Sequence, residues 1–425
     1  MECSKKLSKI ALVDFEKKLG AVMDLNRNFE YRHRIPKIDL LVLKEFYRIL
    51  KKHFNYRMSF FHAAKKSDGM NDMFENSSDL HFENTKTNIN SEDYYFYQMD
   101  KFKNYYEHLR NVILHFCFSL PNELNERTPT GNENLITYSK MFFKLPNQNN
   151  FNSHLLIGEK LGVLRYLNVS AYYLLKDAAV LEMAVVRFLS DTLQNKMKFL
   201  PFKSPDFCNS FVLQGAIVDN LNDESFLLDD DIYRLTGSAS FSSFCAFRVN
   251  SSVNCKFLPE RFFTCGRRYM PPLSLKENGL FTVCQRTNVH LSIAVSSFDE
   301  MMKEFDNILQ WLKSLYEQLG LDFRICYVHA SELKMSESCK VSVQLYSVEM
   351  KDFIEIGYLS VYNDFVSQRL RMMYHNRHSE FFFLYYLDGL VISVPILVAC
   401  LLERSGNKML IPECVSPYMY HYNLV

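Results

Sequence analysis

From Glu92 to Phe118, apolar side chains return after four residues and then three, at Tyr95, Met99, Phe102, Tyr106, Leu109, Ile113 and Phe116. A repeat averaging about 3.5 residues keeps the stripe on one side of a helix, and a facing helix is needed to bury it. One is available upstream. Between Lys37 and Lys66, Leu43, Tyr47, Leu50, Phe54 and Phe61 follow the same alternation, with Arg57 interrupting it. Ser67–Asn90, rich in Ser, Asn and Asp, reads as a polar tip joining the two. The pattern predicts an antiparallel helical hairpin over 37–120, a coiled-coil arm about 40 Å long at ~1.5 Å per residue. Its two strokes differ in charge. Lys37–Lys66 carries Lys37, Lys44, Arg48, Lys51, Lys52, Arg57, Lys65 and Lys66 against only Asp39 and Glu45, whereas the second stroke is nearly balanced.

That asymmetry is local. Over all 425 residues, 49 Lys and Arg meet 48 Asp and Glu, so the molecule as a whole exerts no bulk pull on nucleic acid. The 11 cysteines are scattered without a CxxC pair or a His-Cys cluster, which reads as reduced thiols and not as a disulfide framework or zinc site. Residues 1–36 form a basic N-terminal extension. It also holds Glu2, Asp14, Glu16, Asp24 and Glu30, so any targeting signal there is weak, since mitochondrial presequences are poor in acids. Leu390–Leu402 is apolar for about 13 residues and closes on Glu403 and Arg404, a length that suits a buried core helix and not a membrane span.

The arm ends at Phe118-Ser-Leu-Pro121-Asn122, and a Pro-, Gly- and Asn-bearing connector is expected over 121–150. In 151–425, helical patterns at Ala178–Asn195 and Phe298–Leu319 alternate with strand-like runs at Phe323–His329, Val341–Tyr346, Ile354–Leu359 and Phe381–Tyr386. Helices among strands with hairpin-length gaps predict an α+β domain on a mainly antiparallel sheet with flanking helices.

Several stretches, in order, resemble the seryl-tRNA synthetase family. They include Leu120-Pro-Asn122 with Gly131, and His154 with Gly158-Glu-Lys-Leu-Gly162. Tyr172-Tyr-Leu-Leu-Lys176 through Leu181-Glu182 to Pro205-Asp206 resembles motif 1. Leu258-Pro-Glu-Arg261 resembles the approach to motif 2. Glu355-Ile356, Asp364-Phe365 and Arg369 come next, then Ile411-Pro412-Glu413 with Pro417-Tyr418-Met419. The resemblance implies a class II aminoacyl-tRNA synthetase-type catalytic core over 151–425.

Amino-acid activation needs fixed cations on the phosphates and oriented acceptors on the substrate, and arginine suits the first task because its planar fork binds oxygens bidentately. The family's residues for this work are replaced here. Read without gaps, the motif 2 arginine falls on Met270 and its nearby glutamate on Pro272, although a gap would bring Arg267 or Arg268 into place. The later motif 2 stretch falls on Thr282-Val-Cys-Gln-Arg286 and its final glutamate on His290. The loop whose glutamate reads the substrate's amino group falls on Ser238-Ala-Ser240. In motif 3, Leu387-Asp-Gly-Leu-Val-Ile-Ser-Val-Pro-Ile396 puts leucine, valine and Pro395 where glycines belong, and Ile396 where the phosphate arginine belongs. Glu355, a metal ligand in active relatives, is retained and reads here as a buried structural acid, because a hard cation needs several oxygens. No cofactor is expected.

Degenerate motifs 2 and 3 beside an intact motif 1 resemble the seryl-tRNA synthetase-like proteins of insect mitochondria. That resemblance implies a mitochondrial pseudoenzyme that does not aminoacylate. It also implies association with the active mitochondrial seryl-tRNA synthetase, as a heterodimer, or with itself, and with mitochondrial RNA or DNA, in support of mitochondrial translation. Lys44, Arg48, Lys51, Lys52 and Arg57 are the candidate nucleic-acid contacts, and motif 1, with Leu174, Leu175, Val180, Leu181, Val185 and Phe188, the candidate dimer element. The rival expectations are a divergent but active mitochondrial seryl-tRNA synthetase, a ligase for another amino acid, and a partner subunit that binds no nucleic acid.

Overall fold

The structure, a computed structural model, describes residues 22–32, the helical residues 44, 45, 48 and 52, and residues 120–419 apart from 144–152, 218–220, 229–231 and 273–277. The chain divides into two compact units, one of residues 1–10, 27–34 and 120–425, the other of 11–26 and 35–119. In the second unit Lys44, Glu45, Arg48 and Lys52 are helical and exposed. Arg48 forks onto Glu45, with Nε 2.9 Å and Nη2 2.6 Å from its carboxylate oxygens. The second stroke of the arm, its polar tip, the seam positions, Lys51 and Arg57 lie outside the described residues.

The first unit is organised by an eight-stranded sheet. Its strands are β1 (Leu135–Lys140), β2 (Leu200–Pro201), β3 (Glu260–Tyr269), β4 (Gln285–Val295), β5 (Phe323–Tyr327), β6 (Cys339–Ser347), β7 (Asp352–Asn363) and β8 (Tyr385–Ser393). They lie in the order β1-β5-β6-β7-β8-β4-β3-β2, antiparallel throughout except where β2 meets β3. Successive side chains on a strand point to opposite faces, and the sequence exploits this. Phe263, Val289, Leu291, Ile293, Leu387, Val391, Leu359, Val361, Val341, Val343 and Ile325 fall on one face and join the main core. The residues between them are mostly polar and form the other face.

Helices cover both faces of the sheet. The described helices of this unit include α2 (His154–Lys160), α3 (Lys176–Asp191), α4 (Ser210–Ala216), α5 (Phe241–Arg248), α6 (Phe298–Leu319), α7 (Phe365–Leu370) and α8 (Val394–Glu403); α1 (Val22–Tyr31) precedes them. In α6, Met301, Phe305, Ile308, Leu312, Leu315 and Leu319 recur at helical spacing and are buried, each contributing roughly 1.5–3 kcal/mol if fully removed from water. Ser297 caps its start by accepting from the Glu300 N–H, and Gly320 ends it at φ 68°, a left-handed turn that glycine takes at little cost. A second cluster, drawn from α4, α5 and α7, covers part of the polar face around Ala294, Tyr362 and Tyr386.

Four sequence expectations change. The apolar run Leu390–Leu402 is not one helix: β8 continues to Ser393, and α8 begins at Val394 with Pro395 in its first turn, where its missing N–H has no bond to lose. Both pieces are buried, which explains the uniform hydropathy. Among the described residues no helix is long and apolar enough to cross a membrane. The run Phe381–Tyr386 breaks at Leu384 into a short outer strand (Phe381–Phe383) and the start of β8. The expected connector 121–150 supplies β1, which pairs with β5 and extends the sheet by a strand.

The fourth change concerns 1–36, read as an extension. Its residues 27–32 are built into the first unit through Arg32, 1% exposed. The Arg32 guanidinium donates to Asn28 Oδ1 (2.8 Å), Asn122 O (3.2 Å), Lys334 O (2.7 Å) and Glu337 O (2.6 Å). Asn122 in turn donates to Ser336 O and Tyr362 O. Replacing Arg32 by Met would strand buried carbonyls, and a hydrogen bond to a charged group contributes about 1.5–3 kcal/mol. R32M is expected to lower unfolding free energy by ~2–4 kcal/mol, read as a reduced urea midpoint at unchanged m-value.

Candidate functional site on the polar face of the sheet

Register assembles the polar face row by row. Arg268 faces Arg286. Gly266 faces Asn288, which faces Ser393. Thr264 faces His290, Leu390, Tyr358 and Ser342 in turn, and Phe262 faces Ser292, Asp388, Ser360 and Lys340. Cross-strand partners share a face, so these rows form one surface of mixed polar groups drawn from five strands.

Its centre is a buried dyad. His290 Nε2 lies 2.8 Å from Asp388 Oδ1, and the Tyr358 hydroxyl donates weakly to Asp388 Oδ2 at 3.4 Å. Asp388 is fully buried and keeps these partners in place of water. His290, the position on which the sequence reading set the final motif 2 glutamate, has its ring engaged by a carboxylate.

Around the dyad, charges are paired within the chain. Glu224, on the segment Leu221–Leu228, sets Oε1 2.6 Å from Lys334 Nζ and Oε2 3.1 Å from Arg268 Nη2. Burial alone would raise its carboxyl, but Lys334 and Arg268 outweigh that and hold it below the usual carboxylate range. Glu355 sits 3.0 Å from Lys340 Nζ and accepts from the Ser342 hydroxyl at 2.7 Å. Burial would lower the Lys340 ammonium, yet Glu355 and Glu337 raise it. Glu337 accepts from the Ser360 hydroxyl and the Lys334 N–H. Arg286 is spent on the carbonyls of Val283 and Phe281, and burial, followed by repulsion from Arg268, lowers its pKa.

The residues singled out in the sequence distribute unevenly over this surface. Strand parity resolves the two arginines. Arg268 lies on the polar face, whereas Arg267 turns towards α3, 3.8 Å from Glu182, which also accepts from the Thr287 hydroxyl on the same side. Met270 follows the end of β3, where its N–H donates to Cys284 O, and Pro272 is exposed beyond it. Ser240 is buried at the start of α5, its hydroxyl 2.8 Å from Gly237 O and within 3.0 Å of the Ser242 and Ser243 hydroxyls, so it is turned onto its own loop. Ile396, 2% exposed, packs into the main core behind the sheet. Glu355, expected as a buried structural acid, is partly exposed. Glu224, Lys334, Lys340 and Asp388 had no role assigned from sequence; of these only Asp388, a lone acid in an apolar run, carried a visible signal.

One further cluster has the composition of a metal site. Single ligand atoms from His154, Glu349 and Glu403 lie within 4.8 Å of one another. Their hydrogen bonds describe a clasp instead. The Leu280 N–H donates to His154 Nε2, so Nδ1 carries the proton and donates to Glu349 at 2.9 Å. Both Glu403 oxygens accept, from the Ser347 hydroxyl and the Val348 N–H.

No protein-family model matches the chain. It is 27% identical over 306 residues to the serine–tRNA synthetase-like protein Slimp of Drosophila melanogaster, across 70% of this chain and 64% of that protein. It is 20% identical over 255 residues to serine–tRNA ligase of Encephalitozoon cuniculi, across 58% of each. The matches thus span less than two thirds of these relatives' lengths. The fold matches seryl-tRNA synthetase from Pyrococcus horikoshii, solved in complex with ATP, with a TM-score of 0.77 at 18% identity, over 95% of this chain and 97% of that one. The expected fold class holds: the chain has the fold of the class II seryl-tRNA synthetases, an antiparallel sheet with flanking helices.

Proposed function

We propose that this protein has given up amino-acid activation and works by binding. In this reading it is a mitochondrial protein that holds a nucleic-acid backbone on the basic stroke of its arm. It associates with the active mitochondrial seryl-tRNA synthetase, or with a second copy of itself, in support of mitochondrial translation. The observation that carries the reading is the internal pairing of the polar face. Arg268 is held by Glu224 and Glu355 by Lys340, while Ile396 brings no charge at all. The similarity to an insect protein designated synthetase-like points the same way. Affinity purification from mitochondria, with protein and nucleic-acid readouts together, tests it: recovery of neither a synthetase nor RNA or DNA would overturn it. The rival, an active divergent synthetase, draws on Arg268 remaining on the polar face.

Association is expected through the surface around α3. Leu181, Val185 and Phe188 are used in the chain's own core, but Leu175 and Met183 are each 44% exposed, and Tyr173 and Leu167 are also exposed. A two-fold interface is isologous, so a related subunit can replace one half with little change in contacts. Replacing Leu175 and Met183 by Asp is expected to convert a dimer to monomer in light scattering and to abolish co-purification with co-expressed synthetase. A wild-type chain that is monomeric and recovers no synthetase would refute the assembly.

A further inference from the structure

Beyond the dyad, the next row of the polar face runs Glu260, Ala294, Tyr386 across β3, β4 and β8. Alanine between two long side chains leaves a gap, and Ser292, opposite Phe262 in the neighbouring row, is small as well. Helix α5 covers the gap with Phe244 and Phe247, which a spacing of three sets on one side of the helix, and with Arg248. With Phe262 these residues enclose a recess of about 220 Å³, counted out to its open mouth. Phe244 is buried, whereas Phe247, 52% exposed, stands at the mouth. The rings brace one another. Phe247 and Phe262 meet edge to face with centroids 6.0 Å apart, and Phe202 packs against them at 5.3 and 5.8 Å. Ser240, Arg268, Met270, His290 and Ile396, positions that the family resemblance sets in the substrate site, do not line this recess.

Its polar wall is an ion pair only half made. Arg248 Nη2 donates to Glu260 Oε1. Arg248 Nε and Glu260 Oε2 are buried and, among the described residues, have no hydrogen-bond partner. Arginine commonly meets a carboxylate as a fork with two parallel bonds. Here one prong is missing, which leaves a donor and an acceptor open on two groups already joined. Burial, against the opposing pull of Arg248, holds the Glu260 carboxyl above the usual carboxylate range, so a further donor on Oε2 favours its ionised form. We propose that the recess binds a small, neutral, single-ring aromatic carboxamide. The amide oxygen accepts from Arg248 Nε, the amide N–H donates to Glu260 Oε2, and the ring lies among Phe244, Phe247 and Phe262. A primary carboxamide carries both groups on one carbon, as the open prong requires. Charge agrees, because the ion pair is neutral as a whole and a neutral ligand brings no unpaired charge into a buried place. A water molecule satisfies the two polar atoms but leaves the aromatic walls unused.

The site stands apart from the fate of amino-acid activation, since it uses none of those positions. Calorimetric titration of the full chain with nicotinamide, and with nicotinate as its acid counterpart, tests it. The wild type is expected to bind nicotinamide saturably and at least about tenfold more tightly than nicotinate, whose carboxylate would face Oε2. E260Q, with its oxygen kept by Arg248 Nη2, turns an amide N–H towards the recess and is expected to reverse that order. A294L fills the gap and should lose both ligands, and the smaller A294V should weaken nicotinamide in the same direction. Three outcomes would overturn the site: no saturable binding by the folded wild type, equal affinity for amide and acid, or nicotinamide affinity unchanged in both E260Q and the Ala294 variants. The first would leave a recess filled by water alone. Should E260Q and A294L fail to fold, the wild-type order of amide over acid and the loss in A294V decide the matter.

Discussion

Purified protein supplied with serine, ATP and magnesium will exchange no pyrophosphate into ATP above a control lacking protein. Activation depends on charges placed in advance where the transition state develops them, and removing one such contact typically costs ~10²–10³ in rate. Here several are compromised together. Ile396, the position on which the family resemblance sets the phosphate arginine, adds an apolar side chain to the core and no charge to the face. Glu355 is neutralised at 3.0 Å by Lys340, so a divalent cation would have to displace an ammonium as well as shed its own water. The Ser240 hydroxyl is bonded within its own loop and has no charge to balance a substrate ammonium. Arg268 keeps a cation on the face, but it is already committed to Glu224. Losses of this kind multiply when they act on independent contacts, which places any residual exchange below detection. Robust serine-dependent exchange would show instead that the internal pairs open on substrate binding, and the active-synthetase reading would replace the binding one.

What the sequence disclosed depended on how far apart the deciding residues lie. Helix α6 was readable from end to end because its stripe, its Ser297 cap and its Gly320 stop are all local. Strands β5, β6 and β7 were readable because one face is buried and the other polar, which imposes a period of two. The run Leu390–Leu402 was misassigned for the opposite reason: a strand and a helix buried on all sides share the same hydropathy, and periodicity cannot separate them. The choice between Arg267 and Arg268 was a matter of strand parity. A one-residue difference moves a side chain to the other face, and an alignment that admits a gap cannot settle it. The internal pairing of the site was beyond reach altogether. Glu224 and Lys334 are far apart in the chain and belong to no shared pattern, so only the fold brings them together.

Reversing the charges on the first stroke of the arm, by replacing Lys44, Arg48, Lys51 and Lys52 with Glu, is expected to abolish RNA binding while leaving fold and association intact. Lys44, Arg48 and Lys52 are exposed on helical backbone, so their side chains are free of any core role. Arg48 is spanned by Glu45, and a phosphate must compete with that carboxylate for the fork. The lysines should therefore carry more of the affinity than Arg48, and the K44E/K51E/K52E variant should lose nearly as much as the fourfold one. Backbone contacts of this kind set affinity with little sequence preference, and each neutralised phosphate contributes a slope of about −0.7 to −0.9 in log affinity against log salt. Four contacts imply a fall of roughly 50- to 150-fold for the wild type between 50 and 200 mM salt. Fluorescence anisotropy with a labelled RNA reads both quantities. The reversed variant should show neither binding nor salt dependence at the low-salt end. Unchanged affinity there would mean that the basic stroke is only a solvated helix face, and the protein would then be a partner subunit acting through its α3 surface alone.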